Sequence, residues 1–451
     1  MLQEAIDIQQ NAVSELVEQV RQKHEITFRA PTGSGKTRMM ADFMNRVLME
    51  CPDVVFLVST LSKGNLAEQN YNVFRHCADK NIYPQLNPYL ISSESADEER
   101  LFIPEGFNVY VLPRDLYKDK SKLKDEGALK NFLSHVTDIH FANGCNKTLY
   151  LIKDECHQAT RNLDDIAPSY FTKIINFSAT PNLRRGQMPD VEISDEAAVD
   201  AKLIKSIHWG DEHDTVETAI CKFEEIRQKY VDLLGVNPCL IIQISNKEKA
   251  EHEWSVIENI LNKPEHQHLK WMSIVDKKDK CATNDTAQKL KDLNRWKDYA
   301  KGNASTIDII VFKMVISEGW DIPRACMLYQ VRDTKSRQLD EQVIGRVRRN
   351  PRLSDFEILS PEAQKLAMTA WIWGVKPIER QSFKQRVLHD NNHESKPLRN
   401  QNPNFQTIVT PGSIFDLYAR LQHCHNSIQN QCYTYAKTPQ KWFEFCERLE
   451  K

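Results

Sequence analysis

A glycine-rich octet, set between a strand pattern and a helix pattern, constrains this chain more than any other stretch. Residues Ala30 to Thr37 read Ala-Pro-Thr-Gly-Ser-Gly-Lys-Thr. Before it, Glu25 to Arg29 alternates with Ile26 and Phe28 apolar. After it, Met39, Met40, Phe43, Met44, Val47 and Leu48 fall at i, i+3, i+4 spacing. Strand, loop and helix in that order place a polyphosphate on a helix N-terminus. Gly33 and Gly35 let the backbone curl so that successive N–H groups converge. Lys36 can reach the β and γ phosphates, and the Thr37 hydroxyl can ligate Mg²⁺. With Thr32 and Ser34, these residues make up the expected nucleotide loop. Ala30 replaces the first glycine of the general G-x-x-x-x-G-K-[ST] pattern.

At 451 residues the chain is long for one core, so two or three domains are expected. The formal net charge of −2 excludes a global basic field, and any nucleic-acid surface must be a local patch. Eleven cysteines show no C-x-x-C pair and no framework, as expected for reduced thiols in a cytoplasmic protein. His423-Cys424-His425 with Cys432 lacks a second spaced ligand pair and reads as helix rather than a metal site. There is no secretory leader and no apolar run of bilayer length, so a membrane is not among the expected partners.

Near-continuous apolar runs recur at Val54–Ser59, Val109–Leu112, Leu149–Ile152, Ile174–Phe177, Leu240–Ile244, Ile307–Phe312 and Met327–Val331. Strands buried on both faces of a parallel sheet have this character. Their alternation with helical patterns predicts an α/β class built from right-handed βαβ units. The expected division is a first sheet domain over 1–188, a polar connector over 189–214, a second sheet domain over 215–370 and a mostly helical extension over 371–451. The charged stretch from Asn262 to Asn303 is expected to hold helices and loops without a strand.

Further clusters follow the loop in a telling order. Thr148 to Lys153 reads as a strand delivering Asp154-Glu155-Cys156-His157 at its C-terminal end, where open α/β sheets place chemistry. Asp154 would hold Mg²⁺ opposite Thr37, and Glu155 would polarise the water attacking a γ-phosphate. Ser178-Ala179-Thr180 follows the next strand and reads as a link between nucleotide state and domain closure. Gln342-Val343-Ile344-Gly345-Arg346-Val347-Arg348-Arg349 offers guanidinium groups that could stabilise charge on equatorial phosphate oxygens. The same arginines could also be a solvated helix face or touch nucleic-acid phosphates.

With these motifs in this order, the chain resembles superfamily 2 DExH-type helicases and translocases, from Ala30 to Arg349. Lys313 to Pro323, with Ser317-Glu318-Gly319-Trp320-Asp321, followed by Glu341 to Arg346, resembles the Res (motor) subunit of type III restriction enzymes. The residues around Val191–Asp195 and Leu203–Lys205 resemble the segment joining its motor domains. The alanine at position 30 fits, because loops of such helicases commonly begin Ala-x-x-Gly. The resemblance implies two tandem RecA-like domains with ATP and Mg²⁺ between them. It makes Arg346 and Arg349 finger residues, sets Gly319 and Asp321 against the nucleotide, and gives Gln9 the adenine-reading place. His157, Ser178, Thr180 and Gln342 become coupling residues, and Ser59 and Thr60 contact a nucleic-acid backbone.

The implied activity is ATP-dependent translocation or unwinding of nucleic acid, DNA ahead of RNA, as the motor of a restriction or antiphage system. An RNA helicase and an ATP-gated binding or scaffold subunit are the alternatives. About a hundred residues follow Arg349, short for the nuclease of restriction motors, so the expectation is a nuclease or specificity subunit supplied as a separate partner, a truncated motor, or no nuclease at all. Pro189-Asp190 with Asp200-Ala201-Lys202 formally fits a nuclease pattern but lies in the connector, without a hairpin to converge its groups.

Overall fold

The apolar runs become the inner strands of two sheets. The computed structural model describes residues 2–374 apart from 62–65, 93–95, 98–99, 102, 118, 120, 126, 138–146, 159–160, 184–186, 212, 246–247, 275–280, 290–292, 314–321 and 332–336. Gly319, Asp321, the His423–Cys432 segment and the expected helical extension beyond residue 374 therefore lie outside the described residues.

The first sheet takes β1 (Glu25–Arg29), β2 (Val54–Thr60), β3 (Pro88–Leu90), β6 (Val109–Pro113), β7 (Thr148–Asp154), β8 (Lys173–Ser178) and β9 (Val191–Glu192). A two-stranded pairing of β4 (Ala96–Asp97) with β5 (Arg100–Leu101) stands apart from it. The order is β3-β6-β2-β7-β8-β1-β9 and every pairing is parallel. All seven residues of β2 are buried, because helices cover both faces. Val54, Phe56 and Val58 pack with the helices Gln3–Gln22, Lys36–Glu50 and Leu66–Asp79. Val55 and Leu57 pack with Ala128–Thr137 and Arg161–Tyr170. Each such aliphatic or phenyl side chain contributes about 2 kcal/mol on burial. Phe28 and Phe177, with centroids 4.8 Å apart, join β1 to β8 just before the strand ends that carry the loop and Ser178.

The second sheet runs β10-β16-β15-β11-β14-β12-β13, from β10 (Ser206–Trp209), β11 (Cys239–Gln243), β12 (Trp271–Ile274), β13 (Ala282–Thr283), β14 (Ile309–Phe312), β15 (Ala325–Gln330) and β16 (Thr369–Trp373). Only β13 is antiparallel to its neighbour. These are two mostly parallel, helix-flanked sheets with the tandem RecA-like layout. The stretch Asn262–Asn303 corrects the expectation of no strand: Trp271-Met272-Ser273-Ile274 is fully buried and pairs with β14. Its brevity and its lysine-rich flanks hid it.

Residues 189–214 are drawn into both sheets. β9 adds to the edge of β1, the helix Asp195–Asp200 packs into the first core, and β10 pairs with β16. Asp190 accepts a hydrogen bond from Thr27 N at 2.7 Å and pairs with Lys23 at 2.6 Å. It thus fixes a strand register where the nuclease-like pattern would have needed a metal ligand.

Candidate active site

The loop after β1 turns at Gly33 (φ +93°) and Gly35 (φ +87°), in the left-handed region that costs an L side chain about 1–2 kcal/mol. A Cβ on Gly35 would stand 2.7 Å from Gln9 Nε2. That amide donates to Ser34 O at 2.7 Å, so the first helix is tied to the loop backbone. Ser34 Oγ donates to Pro31 O at 2.8 Å. The next helix starts at Lys36 with no side chain capping it, which leaves its N-terminus available to an anion. Lys36 Nζ folds back onto Ala30 O (3.1 Å) and Pro31 O (3.3 Å). Burial pushes its amine below the ordinary lysine range, against the pull of Glu155 and Asp154.

Thr37 and Asp154 meet through Asn70. Thr37 Oγ1 donates to Asn70 Oδ1 at 3.1 Å, and Asn70 Nδ2 donates to Asp154 Oδ2 at 2.9 Å. Thr60 Oγ1 reaches the same carboxylate oxygen at 3.1 Å. Burial, with Glu155 adjacent, raises Asp154 above the usual carboxylate range. A buried carboxylate and a hydroxyl so close together are hard oxygen donors suited to Mg²⁺.

Glu155 is one of the few non-glycine residues with positive φ, at +51°, a strain typical of functional turns. Its Oε2 lies 3.2 Å from His157 Nδ1. Burial alone would raise this carboxyl, but the His157 imidazole beside it and the Lys36 charge prevail and hold it below the usual range. Glu155 is therefore ionised at neutral pH, as a base must be. The thiol between Glu155 and His157 behaves oppositely: burial, with Glu155 beside it, pushes Cys156 up to about 12. His157 Nδ1 also lies 3.0 Å from Ser178 Oγ, which accepts from Thr180 N at 3.0 Å.

The second sheet domain closes on this arrangement. Gln342 Nε2 lies 2.9 Å from His157 Nε2. A Cβ on Gly345 would stand 2.4 Å from Thr32 Cβ, so this glycine serves the close approach of the two domains. The Arg349 stem lies 3.2 Å from where a Gly33 Cβ would be, and its charge also depresses the Lys36 amine. Arg346 is half-buried in the last turn of the helix Arg337–Val347.

Ser59 and Thr60, expected to contact a nucleic-acid backbone, close the end of β2. Both are buried, and their hydroxyls face Arg114 Nε (3.3 Å) and Asp154. The all-apolar run of β2 could not reveal which way its last two hydroxyls turn.

Several residues here had gone unread in the sequence. Arg114, after β6, donates to Asp154 O and lies 3.4 Å from Glu155 O, clamping the turn that carries both acids. Its signal is an arginine at the C-terminal end of a buried strand. Asn70 lies on the helical stripe Ala67, Asn70, Phe74, Cys77, all buried, where a polar residue is out of place. Behind the loop, Asp195 pairs with Arg29 (3.2 Å) from the first domain and Arg348 (2.5 Å) from the second. Arg348 thus turns to the connector, away from the phosphate loop.

Residues 3–183 match the family model described as "Type III restriction enzyme, res subunit". No curated protein matches the chain by sequence. Among solved structures, S. cerevisiae Dbp5 bound to RNA and ADP BeF3 is 13% identical with a TM-score of 0.42, over 85% of this chain and 86% of that one. The ATP-dependent type ISP restriction-modification enzyme LlaBIII bound to DNA is 13% identical with a TM-score of 0.47, over 83% of this chain and 28% of that one. Among the described residues no helix is long and apolar enough to cross a membrane. By the matched region and the order of its motifs, the chain resembles the superfamily 2 helicases, and its first domain resembles the res subunit of type III restriction enzymes.

Proposed function

We propose that this protein is an ATP-dependent nucleic-acid translocase or helicase that acts on DNA, as the motor of a restriction or antiphage defence system. The observation that carries the reading is the chain Glu155–His157–Gln342, which ties the hydrolytic carboxylate to the second domain. A site that only held nucleotide would have no use for that link.

ATP is the substrate, cradled by Thr32 to Thr37 with Gln9 behind the loop. Mg²⁺ held by Thr37 and Asp154 would neutralise phosphate charge. Glu155 accepts the proton of the attacking water, while Lys36, Arg346 and Arg349 face the charge that develops on the phosphoryl oxygens. Ser178 and Thr180 hold His157, so that movement of the second domain is felt at Glu155. The resemblance also gives Gly319 and Asp321 a nucleotide-lining role. A nuclease or specificity subunit would supply cleavage or target choice, because backbone grip is sequence-independent.

The test is steady-state ATP hydrolysis with single-stranded DNA, duplex DNA or RNA, with Glu155→Gln as the control. Stimulation by DNA, lowered about 10²–10³-fold in the variant, is expected. Stimulation by RNA alone would make this an RNA helicase. Tight binding without stimulation by any polymer would make it an ATP-gated binder. Normal hydrolysis by Arg349→Ala would remove that residue from its role.

A further inference from the structure

On the outer side of the second domain, the first helical turns of Val216–Leu234 face the short helix Pro264–His266. Glu217 and Glu224 are seven residues apart and so share one helix face. His266 is 2% exposed, yet among the described residues neither ring nitrogen has a hydrogen-bond partner. Buried imidazole nitrogens without partners are uncommon and call for an explanation. The surroundings supply one. A donor atom from each of Glu217, Glu265 and His266 lies within 4.8 Å of the others. Glu224 stands behind them, its Oε2 3.4 Å from His266 Nδ1 and its Oε1 2.9 Å from His268 Nε2. Lys263 supplies an opposing charge as the partner of Glu217. Three carboxylates against one ammonium leave two negative charges, which match a divalent cation.

We propose that Glu217, Glu265 and His266 form a binding site for a divalent transition-metal ion of the zinc class, with Glu224 as an outer carboxylate. An imidazole among the donors favours zinc-like ions over Mg²⁺ or Ca²⁺, which take oxygen throughout. Donors at about 2.1 Å from an ion stand about 3.4 Å apart. Closing the site therefore needs a small movement, which the exposed Glu265 can make. The ion would pin the turn before β12 to the flanking helix. That turn is already held by the hydrogen bonds His266 N–Lys263 O and Leu269 N–His266 O, both 3.0 Å, and by the pairs Lys263–Glu217 and His268–Glu224, which the ion would reinforce. The site uses none of the phosphate-loop residues, so its role is to brace the second domain.

The experiment titrates Zn²⁺, then Co²⁺, into the full chain with Mg²⁺ saturating, and reads stoichiometry, the visible Co²⁺ spectrum and the melting temperature. The chain's many thiols are the rival ligands. The wild type should hold one more Zn²⁺ than His266→Gln, and that Co²⁺ should show d–d bands without sulfur charge transfer. Saturation should raise the melting temperature by about 5 °C. Glu265→Gln, at an exposed position that cannot disturb the core, should weaken binding about tenfold or more. Lys263→Met should tighten it about threefold, because the competing ammonium is gone. Cys221→Ser, on an exposed neighbouring thiol, should change nothing. Equal stoichiometry in the wild type and His266→Gln, or a Co²⁺ spectrum lost in Cys221→Ser, would overturn the site.

Discussion

The two sheet domains touch in two ways that differ in kind. At the front, the described contacts include Gln342 Nε2 against His157 Nε2 and the seating of Gly345 and Arg349 against Thr32 and Gly33. At the back, Asp195 binds Arg29 and Arg348, and Arg29 also pairs with Glu192. There too, Lys205 N donates to Arg348 O at 2.6 Å while Arg348 Nε donates to Lys205 O at 3.0 Å. A neutral hydrogen bond is worth about 1 kcal/mol and a van der Waals seat is easily left. Removing one partner from a charged, partly buried set costs several kcal/mol. On the proposed function, the back, with its charged pairs, is the edge that holds while the front opens and closes over nucleotide.

The sharpest way to break this comparison is at the front, with Gly345→Val. Its side chain would collide with Thr32, which lies 2.4 Å from the added Cβ. Polymer-stimulated hydrolysis should fall about 10²–10³-fold, because the arginines no longer reach the phosphates. Nucleotide affinity, measured with a fluorescent analogue, should change little, because Lys36 and its loop belong to the first domain. Equal loss of both would mean that the closed front is needed for binding itself.

At the back, Asp195→Ala strips Arg348 of its partner while leaving that side chain only 11% exposed. The expected result is a melting temperature lower by about 3–6 °C, with a more modest loss of hydrolysis, about fivefold. A larger effect on hydrolysis than that of Gly345→Val would reverse the assignment of the two edges. Gln342→Ala removes the contact with His157. It should lower stimulation by nucleic acid about fivefold to tenfold and leave basal hydrolysis nearly intact.

How much of this was legible follows the range of the interactions. The loop at Ala30–Thr37 and the acids at Asp154 and Glu155 announce themselves, because each is a local residue set on one strand end. Arg114 acts on main-chain oxygens 40 residues away and Asp195 on Arg348 153 residues away, and no local pattern encodes such partners. The side-chain partners of Ser59 and Thr60 were hidden for the opposite reason. A strand buried on both faces carries no alternation to show where its hydroxyls point. The strand Trp271–Ile274 is four residues long, below the length at which an apolar run stands out.

The smallest effect tests whether the back edge is as dry as its contacts imply. Lys205 is fully buried, donates to Ala325 O at 2.9 Å and lies 5.8 Å from the Tyr230 ring centre. Burial lowers its amine from 10.5 to about 8. Below pH 8 the amine is protonated whether the chain is folded or not, so the cost of burying the charge is fully present. Between pH 8 and 10.5 the folded state binds fewer protons than the unfolded one, and stability from this group rises with pH. From pH 7 to 8.5 the gain is about 1 kcal/mol. The thiols oppose it: burial raises Cys156 and Cys239 to about 12 and Cys326 to about 11. Unfolded thiols ionise first, so these groups lose stability over the same range. The informative quantity is therefore the difference between wild type and Lys205→Met in urea unfolding at the two pH values. The wild type should gain about 1 kcal/mol on the variant as pH rises. Parallel curves would mean that water reaches Lys205, and the back edge would then be no drier than the front.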